Sequence, residues 1–217
     1  MPDILVYALH YEGAINKNSL GAVSEGARLA SELGGECHAI VVGGDDLTDE
    51  LCATLGKYGA SKVYYASAPV GIAQPVVDVM AKLIEDNGYS YALFGGGLLG
   101  FEIGAGLAAR RKAGVTMEVT EVKVDNGELV ASRPILQDSA VTEVEYVGEP
   151  GIIIGRLNAF EMAEAGDGAA EGTGELLELL EALGVAEAAA AGDEHVGVLD
   201  VHVRAALLAA LDHRGLV

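Results

Sequence analysis

Three glycines are the residues of this chain best spaced to do chemistry. Gly95, Gly97 and Gly100 form a G-x-G-x-x-G within "LFGGGLLGFEIGAGLAARRKAG", which runs from Leu93 to Gly114. Between a strand and a helix, that spacing lets the backbone approach a pyrophosphate at the positive end of the helix. The same glycines would also let a strand turn tightly into a helix with no ligand involved. Several features weigh against the phosphate loop. The loop follows the fourth strand-like run of the chain, whereas the dinucleotide fingerprint follows the first strand of its unit. The acidic residue expected about 20 positions later should end the next strand. Here the nearest acids, Glu118 and Glu121, fall in an alternating, hairpin-like stretch. Glu102, expected in the first helical turn, already complements the helix dipole and would oppose a phosphate. "GGGLLGF" is built almost wholly from glycine and leucine, so the spacing arises easily by chance. The balance points to a close-packing turn, with Gly95, Gly97 and Gly100 kept as the candidate cofactor-binding residues.

The other chemically capable residues do not assemble into a site. His10 and His38 lie at strand ends, and His195, His202 and His213 lie in the tail, none at metal-ligand spacing with Cys or carboxylate. Cys37 and Cys52 form no CxxC, and buried thiols are the expected reading. Asp45, Asp46, Asp49 and Glu50 suit a helix N-terminus better than a catalytic pair. Arg110, Arg111 and Lys112 sit where cations favour a helix C-terminus, and Arg133 and Arg156 are lone cations in β segments, buried or interfacial. There is no nucleophile elbow, P-loop or H-E-x-x-H motif, and no catalytic residue is assigned. The chain is not expected to be an enzyme.

The elements that carry these residues alternate. "DILVYAL", "CHAIVVGG", "SKVYYAS" and "YSYALFGGG" are apolar runs of strand length. Between and after them come helical patterns: "SLGAVSEGARLASELG" with Asn18 or Ser19 as cap, "LTDELCATLGKYG" with Thr48 as cap, a helix opened by Pro75, and a fourth after the glycine loop. Two-sided apolar strands alternating with helices specify an α/β fold, a doubly wound parallel sheet in three α/β/α layers. After Gly114 the pattern becomes alternating, with a hairpin signal at Asp125-Asn126-Gly127. An antiparallel β extension, including "SAVTEVEYV" and "PGIIIGR", is therefore expected to close near Phe160. Residues 161–174 read as an acidic, Gly/Ala-rich linker, and residues 175–217 as a tail of two short amphipathic helices.

Composition limits the partners. Thirteen Lys and Arg stand against 33 Asp and Glu, a formal charge of −20 over 217 residues. That surface repels phosphate backbones and anionic lipid, so neither nucleic acid nor membrane insertion is expected. No apolar run reaches the roughly 18–20 residues of a membrane span, and "MPDILVYALH" lacks a basic leader region. A cytoplasmic location is expected.

Five stretches taken in order carry a family resemblance: "ILVYAL", "GGECHAIVVG", "LGKYGASKVYYAS", "YALFGGGLLGFEIGAGLAARRKAGVTMEVTEVKVDNGELVASRP" and "EPGIIIGRLNAF". Together they resemble the N-terminal domain of the electron transfer flavoprotein α subunit, over Asp3 to Phe160 (residues 1–160 as a domain). The resemblance implies an adenine nucleotide α-hydrolase-like fold. It also implies electron transfer between flavoenzymes and a downstream acceptor, and a heterodimer with a β-like subunit, a homodimer being the alternative. FAD, with AMP as a second ligand, is expected in such a heterodimer. The family's flavin contacts lie mostly in a second domain, and residues 161–217 match none of its motifs, so no cofactor is expected to be held by this chain alone. "RPILQDS" also departs from the aromatic-Gly-Gly-Asn that usually follows Arg-Pro in the family. The resemblance thus describes an α-like scaffold without its own FAD domain. The rival reading is a free-standing adenine-nucleotide-binding regulatory module that uses the glycine loop.

Overall fold

A computed structural model describes residues 1–43, 47–67 and 71–165. The chain begins with β1 (Ile4–Tyr7), a two-strand hairpin of β2 (His10–Tyr11) and β3 (Ala14–Ile15), and α1 (Lys17–Leu33). Then follow β4 (Cys37–Gly43), α2 (Asp49–Lys57), β5 (Lys62–Ser67), α3 (Ala73–Asn87), β6 (Tyr91–Phe94) and α4 (Leu98–Arg111). The rest is β7 (Val115–Val119), β8 (Glu121–Asp125), β9 (Glu128–Ile135), β10 (Ala140–Val144) and β11 (Gly151–Gly155). Asp45, Asp46, the two tail helices, their histidines and most of the acidic linker lie outside the described residues.

Six strands form one parallel sheet in the order β5-β4-β1-β6-β11-β7. Because side chains alternate along a strand, each central strand supplies both faces. Ile4 and Val6 pack with α1 and α2, whereas Leu5 and Tyr7 pack with α3 and α4. This is the expected doubly wound, three-layer α/β arrangement. The helices start and stop on local chemistry. Asn16, rather than Asn18 or Ser19, caps α1 by accepting from the Asn18 amide at 2.9 Å. The expected caps are engaged elsewhere: Ser19 Oγ accepts from the Leu9 amide, and Asn18 Oδ1 from the Asn158 amide. Thr48 caps α2 as expected, accepting from the Leu51 amide at 3.2 Å.

The stretch after Gly114 divides between two sheets. β8, β9 and β10 form the expected antiparallel extension, turning at Asn126 and Gly127, both with positive φ. β7 and β11, however, join the parallel sheet, with β11 between β6 and β7. The reason lies in "GIIIG": all five residues are buried, so the strand has two covered faces and no alternation. The small sheet lays Val122, Leu129 and Ala131 onto the core beneath α1, and the Arg28 guanidinium donates to the Val122 carbonyl at 2.8 Å. Residues 161–165 cross α1 and α2. Ser24 Oγ donates to the Ala163 carbonyl and accepts from its amide, and the Ala165 amide donates to the Lys57 carbonyl. No helix among the described residues is long and apolar enough to cross a membrane.

Candidate functional site at the carboxyl edge of the sheet

From β1 the chain winds outward to β4 and β5, then returns past β1 to β6. The crevice beyond the carboxyl ends of β1 and β6 is therefore the topological switch point, where open α/β sheets bind ligands. The glycine loop lies there, joining β6 to α4. A Cβ built on Gly95 would fall 2.5 Å from the Asn18 carbonyl oxygen, at the start of α1. One on Gly96 would meet the Leu157 amide nitrogen at 2.5 Å, and one on Gly100 the Gly95 carbonyl oxygen at 2.8 Å. Gly97 differs: at φ 147° it adopts a conformation that side chains resist, yet a Cβ there would enter open space. It caps α4 without a side-chain hydrogen bond to the helix amides. Glu102 is the fifth residue of α4 and exposed, one turn later than expected.

The other sequence candidates are dispersed. His10 is buried, its ring seated against Gly43 at the end of β4. His38 is at the opposite end of the sheet. Its Nδ1 is 2.5 Å from Tyr89 Oη and its Nε2 3.0 Å from a Glu36 carboxylate oxygen. That hydrogen bond, with the charge of His38 behind it, holds the Glu36 carboxyl below the usual range. Tyr89 Oη also donates to Tyr64 Oη, and burial drives the Tyr89 phenol well above its ordinary value. Cys37 is buried and free, and burial pushes its thiol up to about 12. Arg110 pairs with Asp78 and Arg111 with Glu85, so these cations tie α4 to α3 as well as complementing the helix end. A cleft of about 600 Å³ lies between α1, the start of β8 and residues 159–163; its Arg28 is taken up by Glu25 and Glu32. Among the described residues, no group of three or more His, Cys, Asp or Glu could hold a metal ion.

One cluster at the carboxyl edge was not visible in the sequence. Arg156, just past β11, pairs with Asp138 at 3.1 Å and with Glu118 at 3.4 Å. These contacts raise the already high guanidinium pKa, with the Asp138 hydrogen bond foremost. Asp138 belongs to the turn between β9 and β10, where Leu136, Gln137 and Asp138 all have positive φ. The ion pairs thus pin a strained turn to the main sheet. Around it the edge is apolar and open: Leu98, Leu136 and Leu157 are all exposed.

The fold, the loop at its switch point and the small antiparallel sheet agree with one family, and the electron transfer flavoprotein domain model matches residues 4–182. The chain belongs to the electron transfer flavoprotein family. It is 31% identical over 174 residues to the electron transfer flavoprotein subunit alpha of Mycobacterium leprae, covering 79% of this chain and 52% of that protein. It is 28% identical over 148 residues to protein FixB of Rhizobium meliloti, covering 65% of this chain and 42% of that protein. Against the acryloyl-CoA reductase electron transfer subunit beta of Anaerotignum propionicum the identity is 28% over 131 residues, covering 59% and 35%. The chain spans about half the length of the first of these electron transfer flavoprotein relatives. It resembles the N-terminal domain of the family's α subunit.

Proposed function

We propose that the chain is an α-type scaffold of an electron transfer flavoprotein, which pairs with a β-type subunit and grips no flavin with its own described residues. It takes part in electron transfer as an architectural partner rather than as an enzyme. One observation carries the reading: the glycine loop is folded onto its own chain. A Cβ on Gly95, Gly96 or Gly100 would meet the backbone of Asn18, Leu157 or Gly95, so these glycines serve close packing. In a dinucleotide cradle the first and third glycines likewise serve the turn and the packing, and the second lets the pyrophosphate approach; here the second is Gly97, which faces open space. The close packing at Gly95, Gly96 and Gly100 supports reading the loop as a packing turn. The free, buried Cys37 is in keeping with a reducing, cytoplasmic setting.

The test is an absorbance scan of the chain purified alone and again with its β-type subunit. The expected outcome is a colourless single chain and flavin bands only in the assembly. A yellow monomer carrying stoichiometric FAD overturns the reading. The adenine-nucleotide module stays as the second reading because Gly97 faces open space and α4 has no side-chain cap. Calorimetric titration with AMP, ATP and NAD separates the two: tight binding abolished by Gly97→Asp supports the module, and flat titrations support the scaffold.

A further inference from the structure

At the amino edge of the sheet, Glu36, His38, Tyr89 and Tyr64 form one hydrogen-bonded chain. Glu36 precedes β4, His38 is the second residue of that strand, Tyr64 lies on the neighbouring β5, and Tyr89 follows α3. A Glu36 carboxylate oxygen is 3.0 Å from His38 Nε2, His38 Nδ1 is 2.5 Å from Tyr89 Oη, and Tyr89 Oη is 3.3 Å from Tyr64 Oη. Ring packing holds the spacing, since His38 sits edge-on to Tyr64 and Tyr89 with centroids 6.0 and 5.5 Å away. Tyr64 and Tyr89 are buried and Glu36 is exposed, so the chain runs from solvent into the core.

Donor counting fixes the directions. An ionised carboxylate only accepts, and the His38 hydrogen bond, with Ser61 after it, holds the Glu36 carboxyl below its usual range. Nε2 of His38 must therefore carry a hydrogen in both charge states, and Nδ1 is the nitrogen that gains and loses the proton. When protonated, Nδ1 donates to Tyr89 Oη and the Tyr89 hydrogen turns to Tyr64. When bare, Nδ1 accepts from Tyr89, whose oxygen is then free to accept from Tyr64. The two states differ at Tyr64. No other described residue accepts from its hydroxyl, so its hydrogen has a partner in the neutral state and none in the charged one. The charged state offsets that buried, unpaired donor with a charge-assisted bond to Glu36. The remaining charged groups nearby do not compete for the ring nitrogens. Beside β1, Asp3 accepts from the Glu36 amide at 2.8 Å, and from β5 Lys62 lies over the Tyr64 ring, 4.4 Å from its centroid. Near the end of α3, Asp86 pairs with Lys82 and Glu85 with Arg111, while Cys37 packs on the other face of the sheet.

We propose that this chain is a proton-driven switch: protonation of His38 at Nδ1 reverses the hydrogen-bond direction through Tyr89 and Tyr64. It carries a change of pH at the surface into the core between β4, β5 and the end of α3. One proton enters from water onto Nδ1, and the two hydroxyl hydrogens only rotate, so no other bond forms or breaks. Histidine suits the task because its charge changes between about pH 5 and 8.

The experiment is NMR of the full chain carrying nitrogen-labelled histidine and tyrosine labelled at the ring carbon that bears the hydroxyl, followed from about pH 5 to 8. His38→Gln identifies the His38 signals, and Tyr64→Phe those of Tyr64. Neutral His38 should be the Nε2–H tautomer, and the Tyr89 and Tyr64 signals should move with the same midpoint as Nδ1. Tyr89→Phe cuts the chain at its centre and keeps the ring. In that variant His38 should still titrate and Tyr64 should lose its response. A Tyr64 response that survives comes through space from the histidine charge and overturns the switch. A neutral Nδ1–H tautomer, a His38 that holds one charge state throughout, or tyrosine signals unmoved as it titrates also overturn it. Thermal midpoints show whether Tyr89→Phe folds. Should it fail to, His38→Gln decides: both tyrosine signals must then stay still, and movement would assign them to another group and sink the proposal.

Discussion

A single methyl group is enough to probe the glycine loop. Gly95→Ala and Gly100→Ala push a Cβ against backbone oxygen at 2.5 and 2.8 Å, so each should destabilise the fold by about 1–3 kcal/mol in urea titration. Gly97→Ala should cost about as much for another reason, its φ of 147°, although space is free there. Wild-type stability in Gly95→Ala would show that Asn18 gives way and that the loop is not tightly packed. Buried acids make a second prediction. Burial pushes Cys37, Tyr7 and Tyr146 each up to about 12. The unfolded chain releases these protons near pH 8.5 for the thiol and about 10 for the phenols, whereas the folded chain keeps them. Stability is therefore full below pH 8.5 and falls as pH rises to about 12, by ~1.4 kcal/mol per pH unit for each group that differs. Urea midpoints at rising pH, with thiol labelling of Cys37 in a Cys52→Ser background, check this; labelling of Cys37 in that native chain at neutral pH would contradict it. At this scale the sequence discloses the glycines but not Arg156's partners. Asp138 and Glu118 stand 18 and 38 positions away, and only the tertiary fold brings them together.

Local grammar accounts for most of the elements. Thr48, Gly34 and Gly88 mark helix ends by their own chemistry, and Asn126-Gly127 marks the β8–β9 turn, so all four are readable where they stand. Thr48→Ala should cost about 1 kcal/mol by losing the hydrogen bond to the Leu51 amide. β11 is a different case. A strand covered on both faces has no period to read, and nothing local in "GIIIG" says whether it pairs parallel or antiparallel. Its central place makes it sensitive: Ile153→Ala should cost about 2–5 kcal/mol, far more than truncation of the exposed Val141 in the edge strand β10. Equal losses in thermal melts of the two variants would show that β11 is not a central strand.

For the molecule as a whole, charge is the property read from composition alone. A formal −20 over the 217-residue chain stores self-repulsion that salt screens. The melting temperature should climb as sodium chloride is raised from low to molar concentration, and a flat response would mean that the visible ion pairs already balance the surface. The family is legible because its motifs run in order through Phe160; the Arg156 cluster is not, because Glu118 of β7, Asp138 of the β9–β10 turn and Arg156 after β11 meet only in the fold. The strand order has its own consequence during synthesis. A ribosome delivers β6 long before Gly151–Gly155, so one edge of the nascent sheet stays bare while residues 95–150 emerge. Until the last strand slides in between β6 and β7, that edge is open to wrong pairing, and a translational stall in this interval would leave the chain dependent on a chaperone.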